Sequence, residues 1–117
     1  MRVGVIKVFE DLLFNFGPGR ITMYARVILG KVKLEKQVEA IKIYQESVEP
    51  AAKEQNGFIR SELLTDPDTN KFISITIWET ENDMIAGESS GYLEKQLNKI
   101  APLFVGPPSV QHYVVSE

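Results

Sequence analysis

Lys71-Phe72-Ile73-Ser74-Ile75-Thr76-Ile77-Trp78-Glu79 decides the fold. Ile73, Ile75, Thr76 and Ile77 are β-branched, and stiff branched side chains suit a pleated sheet better than a helix. The run is preceded by Asp66-Pro67-Asp68-Thr69-Asn70, which is dense in turn formers. Before that turn, Phe58 to Thr65 reads as another strand. Two strands joined by a short polar turn predict a hairpin at the centre of the chain.

Working outward from the hairpin, each side carries a helix and then a strand. Toward the N-terminus, Asn56-Gly57 is a helix stop. The helix it ends carries Leu34, Val38, Ile41, Tyr44, Val48 and Ala52 on one predicted face, in steps of three or four residues. Pro50 should kink or restart it, because proline has no N–H to give the preceding turn. Upstream, Ile21 to Leu29 alternates as a strand that Gly30 should end. Toward the C-terminus, Thr80 can cap a helix, with Asp83 in the reciprocal position. Glu88-Ser89-Ser90-Gly91 should break that helix. It resumes with Leu93, Leu97, Ile100 and Leu103 or Phe104, and Gly106-Pro107-Pro108 ends it. Val110 to Val115 is the last strand.

The order strand, helix, hairpin, helix, strand is the split βαβ, ferredoxin-like plan, an α+β fold. Two helices should cover one face of a four-stranded antiparallel sheet. The other face then carries Tyr24, Phe72 or Ile73, and Tyr113 or Val114, depending on register. Such a face is too apolar to stay wet, so a homodimer with two sheets back to back is expected. Residues 21–117 form the domain. Residues 1–20, closed by Gly17-Pro18-Gly19, read as an N-terminal extension.

The 117 residues suit one domain, and a net charge of −3 provides no field for nucleic acid or an anionic membrane. The chain has no cysteine and a single histidine. Disulfides, thiolate chemistry and a multi-histidine metal site within one chain are thereby excluded. No apolar run is long enough to span a bilayer, and the first residues lack a leader pattern. A cytoplasmic protein is expected, with no membrane or nucleic-acid partner. Ferredoxin-like RNA-binding domains stack bases on strand aromatics. The third strand lacks their Gly-Phe spacing.

Candidate site residues carry two readings each. Trp78, the single tryptophan, is either a packing residue at the domain edge or the flat wall of a ligand pocket. Arg26 sits mid-strand among apolar residues. It is either ion-paired to a glutamate such as Glu62 or Glu79, or a buried cation that stabilises an anionic ligand. Tyr24, Tyr44, Tyr92 and Phe72 are core aromatics or substrate contacts. His112, on a strand, reads as a structural or interface histidine.

Taken together, residues 22–115 resemble the antibiotic biosynthesis monooxygenase family. The resemblance lies in Tyr24-Ala25-Arg26-Val27, Val48-Glu49-Pro50 and Asn56-Gly57-Phe58-Ile59-Arg60-Ser61-Glu62-Leu63. It continues through Asp66-Pro67-Asp68, Ile77-Trp78-Glu79-Thr80, Ile100-Ala101-Pro102-Leu103 and Gly106-Pro107-Pro108. It implies a dimeric α/β barrel with a pocket between helices and sheet in each subunit. It further implies a cofactor-independent monooxygenase acting on a small aromatic, phenolic or quinol compound, with no metal. Arg26 and Trp78 would be catalytic, with Tyr24, Tyr44, Tyr92 and Phe72 binding substrate. Haem-degrading relatives place an asparagine in the first strand and a histidine in the second helix. This chain has Arg26 at the first position and no histidine in that helix. A non-catalytic ligand-binding or stress-response barrel is the alternative, and a lactone-handling isomerase shares the same fold.

Overall fold

The computed structural model describes residues 22–116. The expected extension over residues 1–20 lies outside them. Four strands, β1 (Tyr24–Lys31), β2 (Phe58–Asp66), β3 (Lys71–Trp78) and β4 (Ser109–Val114), form one sheet. Their order is β2-β3-β1-β4, and every neighbouring pair is antiparallel. This is the predicted ferredoxin-like plan. The sheet of one chain stays open, with β2 and β4 as edges, so four strands alone do not close a barrel.

β1 runs through Gly30 instead of ending there. An added Cβ at Gly30 would stand 2.1 Å from Cε2 of Phe104, so the glycine is where that ring lies on the strand. Phe104 is bound into the same corner by a bridge between its backbone and Val32. Around it, Val32, Ala40, Tyr44, Phe72 and Ile100 form the buried core.

The first helix begins at Gln37, later than the apolar pattern suggested. Glu35 adopts a positive φ of 67°, which breaks any helix there. Leu34 lies before the helix and Val38 on its outer side; both are exposed, Val38 to 82%, and are not core residues. The helix comprises α1 (Gln37–Ile43), a π turn (Tyr44–Val48) and α2 (Glu49–Lys53). The Glu49 amide bonds to the Tyr44 carbonyl, five residues back. Pro50 cannot donate, and its ring crowds the carbonyl four residues earlier, so the chain widens just before it. The buried residues Ala40, Tyr44, Val48 and Ala52 are each four apart. In a regular helix each such step drifts by about 40°. The wider turn absorbs that drift and keeps Tyr44 and Val48 on the sheet.

The second helix is broken where expected, into α3 (Glu81–Ser89) and α4 (Tyr92–Ile100), followed by a 3-10 turn (Ala101–Leu103). Gly91 makes the break with a φ of 89°, a conformation that strains any residue with a Cβ. The Thr80 hydroxyl caps α3 by accepting the Asp83 amide at 3.0 Å.

The register resolves which residues face the helices. Tyr24 pairs Trp78, Arg26 pairs Thr76, Ile28 pairs Ser74 and Gly30 pairs Phe72. On β4, His112 pairs Arg26 and Val114 pairs Tyr24. All of these lie on the helix side. Ile73 and Tyr113, together with Val27, Leu29 and Ile75, form the opposite face. Phe72, Tyr24 and Val114 therefore do not belong to that outer face.

Candidate functional site

Arg26 has the most unusual environment in the described chain. It projects from the middle of β1 into the helix layer and is 1% exposed. Its guanidinium lies over the Trp78 ring, 4.9 Å from the centroid, close enough for a cation–π attraction. Nη1 donates to the Met84 carbonyl at 3.1 Å and to Glu88 Oε2 at 3.4 Å. Nη2 donates to the Tyr92 hydroxyl at 3.4 Å. Nε is buried without a partner. A buried cation normally demands a close, bidentate anion. Here the one carboxylate near it among the described residues, Glu88, is partly solvated and meets it through a single oxygen at 3.4 Å. Neither Glu62 nor Glu79 takes that role. Glu62 pairs Ile75, on the outer face.

Trp78 is fully buried and packs edge-on against Phe58 at 5.7 Å. Its indole N–H donates to Thr76 Oγ1 at 2.9 Å. The indole thus has its polar end satisfied by its own strand, and its face is turned to the cation.

Glu88 is shared. Its Oε2 also lies 2.6 Å from Nε2 of His112, which is 39% exposed on edge strand β4. Tyr92, Arg26, Glu88 and His112 therefore make one polar chain from the buried layer to the surface, drawn from α4, β1, α3 and β4. Gly87 leaves room for it. An added Cβ there would lie 3.1 Å from the Tyr92 ring and 3.6 Å from Arg26 Nη1. Burial pushes the Tyr92 phenol above its ordinary 10.0. The neighbouring Arg26 charge and hydrogen bond pull it back, and Glu88 pushes it up again.

One step along the same strands, chemistry gives way to hydrocarbon. Ile28, Tyr44, Val48, Phe72, Ser74 and Ile100 line a cavity of about 20 Å³ whose surface is apolar. That volume is far too small for an aromatic ring. The hydroxyls of Tyr44 and Ser74 are 2.7 Å apart. Burial raises the Tyr44 phenol as well, partly offset by the Ser74 bond and reinforced by the charge of Glu49.

The candidates named from sequence thus fall into three groups. Arg26, Trp78 and Tyr92 meet in one layer. Tyr44 and Phe72 line the interior cavity. Tyr24 lines a third space of about 100 Å³, beside Met84 and His112. Arg26 and Trp78 line neither of these cavities. Sequence reasoning missed Glu88, Ser74 and the pairing of His112. Glu88 sits in the helix-breaking run, which marks it only as part of that break. Among the described residues, no group of three or more acidic, histidine or cysteine residues could hold a metal ion. No helix there is long and apolar enough to cross a membrane.

The profile of the antibiotic biosynthesis monooxygenase family matches residues 23–95. No curated protein matches the chain. Among solved structures, a protein of unknown function from Nitrosomonas europaea has a TM-score of 0.68 at 16% identity, covering 83% of this chain and 92% of its own. A mutant of SnoaB, a cofactor-independent oxygenase from Streptomyces nogalater, has a TM-score of 0.64 at 16% identity, covering 81% and 92%. Rv0793 from Mycobacterium tuberculosis has a TM-score of 0.65 at 9% identity, covering 81% and 96%. At these identities the likeness is one of fold.

Proposed function

The chain belongs to the antibiotic biosynthesis monooxygenase family, and from that premise we propose that it is a cofactor-independent monooxygenase acting on a small phenolic or quinol compound. The carrying observation is Arg26, a fully buried cation whose Nε is unpartnered and whose one nearby carboxylate, Glu88, is partly solvated and met through a single oxygen. Such a group is poorly used as structure and well suited to an anion that develops during reaction. A phenolate needs that stabilisation most when water is excluded.

In this reading the substrate hydroxyl loses its proton and the phenolate reduces oxygen directly. One oxygen atom enters the substrate as a new carbonyl, and the other leaves as water with one hydrogen from the oxidised ring carbon and the proton of the phenol. Arg26 balances the oxyanion and Trp78 is the wall on which the ring system rests. Tyr24 or Tyr92 donates a hydrogen bond to the substrate. Tyr44 and Phe72 receive its apolar part once the interior cavity opens. The outer sheet face, with Val27, Leu29, Ile73 and Ile75, is covered by a second copy of the chain.

The test is oxygen uptake with a panel of reduced quinones and anthrones. Turnover is expected with the native protein and is lost in Arg26→Met. A folded protein that consumes no oxygen with any of them refutes the assignment. The cavity of about 100 Å³ beside Tyr24 and His112 favours one other reading, a non-catalytic binder. That reading predicts thermal stabilisation by aromatic ligands with no product. For the pairing, native mass at micromolar concentration should give a dimer, and a monomer would refute it.

A further inference from the structure

The polar chain ends in a group that the phenol-oxygenase chemistry leaves unused. His112 is the only imidazole in the protein. Its Nε2 faces the Glu88 carboxylate at 2.6 Å. A carboxylate only accepts, so Nε2 carries the hydrogen of this contact when the ring is neutral. The lone pair then resides on Nδ1, which has no hydrogen-bond partner among the described residues. The same Glu88 oxygen also accepts from Arg26 Nη1 at 3.4 Å.

The imidazole also borders a space. A cavity of about 100 Å³ lies between α3 and strands β1 and β4, lined by Tyr24, Glu81, Met84, His112, Tyr113 and Val114. It is roomy by the measure on which a water needs about 10–15 Å³. Met84 connects it to the buried layer, since the same residue's carbonyl accepts from Arg26. The charged and titratable groups around the ring are Glu88 and Glu81 from α3, Arg26 and Tyr24 from β1, and Tyr113 on its own strand. Tyr92 of α4 reaches it only through Arg26.

A base oriented by a carboxylate, next to a cavity and open to solvent on one side, is the arrangement by which enzymes remove a proton and pass it on. We propose that His112 is the general base of this protein, positioned by Glu88, and that it deprotonates a phenolic hydroxyl bound in the cavity beside Tyr24 and Met84. The O–H bond of the ligand breaks and an N–H bond forms at Nδ1. The ligand becomes a phenolate and the ring an imidazolium, whose charge Glu88 stabilises through Nε2. No electron is transferred in this step, and the proton leaves through the exposed edge of β4. The inference rests on the phenol-oxygenase reading for its biological purpose, but the proton transfer is measurable without oxygen chemistry.

The experiment uses 4-nitrophenol, whose anion absorbs in the visible, with the full chain under nitrogen. At a pH where the free phenol is mostly protonated, the native protein should increase the phenolate absorbance. In parallel, the ring nitrogen resonances of the single histidine should move to the protonated pattern as the probe is added. His112→Gln should abolish the absorbance gain, and Glu88→Gln should reduce it while the probe still binds. His112 is on an exposed edge, and circular dichroism checks the fold of each variant. An unchanged absorbance gain in His112→Gln, or histidine resonances that stay in the neutral form while the probe ionises, would overturn the proposal. So would failure of the native protein to ionise the probe. The oxygen assay separates the two ideas. Ionisation without oxygen uptake removes the oxygenase reading and leaves the base. Oxygen uptake equally fast in His112→Gln, with an unchanged pH profile, removes the base and leaves the oxygenase.

Discussion

Arg26→Met should abolish oxygen uptake while leaving the fold almost as stable as before. The expectation comes from how weakly the guanidinium is compensated. Breaking a well-matched buried ion pair costs about 3–5 kcal/mol, because it strands the remaining charge. Here the remaining charge is not stranded. Glu88 is 26% exposed and keeps His112 at 2.6 Å. The change loses the contact with the Trp78 face, worth about 0.5–2 kcal/mol. It also removes the buried, unpartnered Nε, whose desolvation costs about 1–3 kcal/mol. Methionine fills much of the same volume with a flexible apolar chain. These effects oppose one another, so the net change should stay within about 1.5 kcal/mol of the native protein, in either direction. Urea denaturation with an unchanged slope measures it, and oxygen uptake with the same panel of reduced quinones and anthrones measures activity. A loss above about 3 kcal/mol, the range of a broken structural pair, would show that Arg26 is there to hold the fold. Retained turnover would equally refute its role as the anion site.

Tyr44→Phe leaves the buried Ser74 hydroxyl without its 2.7 Å partner and should destabilise by about 1–2 kcal/mol in urea. Tyr44 and Tyr92 both hold their protons to higher pH in the folded chain than the unfolded value of 10.0. Stability from these two groups is therefore complete below about pH 10 and lost as pH rises beyond it. Tyr92→Phe should flatten that alkaline decline, and an unchanged slope would contradict the burial assigned to it. Gly30→Ala drives a methyl into the Phe104 ring and should cost about 1–3 kcal/mol or more. Phe104→Leu in the same chain should restore part of the loss, and a purely additive double mutant would locate the strain elsewhere. Trp78 is the only tryptophan and is fully buried, so its emission should be blue-shifted and should change in Arg26→Met. A solvent-like spectrum would refute the packing described.

Much of the fold was legible because its signals are local. The alternation along Ile73, Ile75 and Ile77, the Asp66–Asn70 turn and the Gly91 break each act within a few residues. The start of α1 was not legible, because Leu34 continues the apolar spacing into a turn that Glu35 makes with a positive φ. The outer face was legible only as a set of alternatives, since register depends on pairings between strands distant in sequence. The site was legible at Arg26, where a charge interrupts an apolar strand, and at the lone tryptophan. Sequence could not place Glu88 against His112, because the two are 24 residues apart and meet only when β4 returns to the edge beside β1. It also gave Arg26 the wrong carboxylates, choosing glutamates from neighbouring strands over one from the covering helix.

The π turn carries a consequence for how this chain is compared with its relatives. Ala40 and Ala52 are twelve residues apart, which in a regular helix would point them about 120° away from each other. Eleven residues would leave them only about 20° apart. The helix therefore contains one surplus residue, lodged between Tyr44 and Val48 and taken up as a bulge that leaves α2 facing the sheet. An alignment that runs through this helix without a one-residue gap will match every position after Val48 to the wrong neighbour in a relative that lacks the bulge. Deleting the exposed Gln45 should give a shorter, regular helix that still presents Ala40 and Ala52 to the sheet.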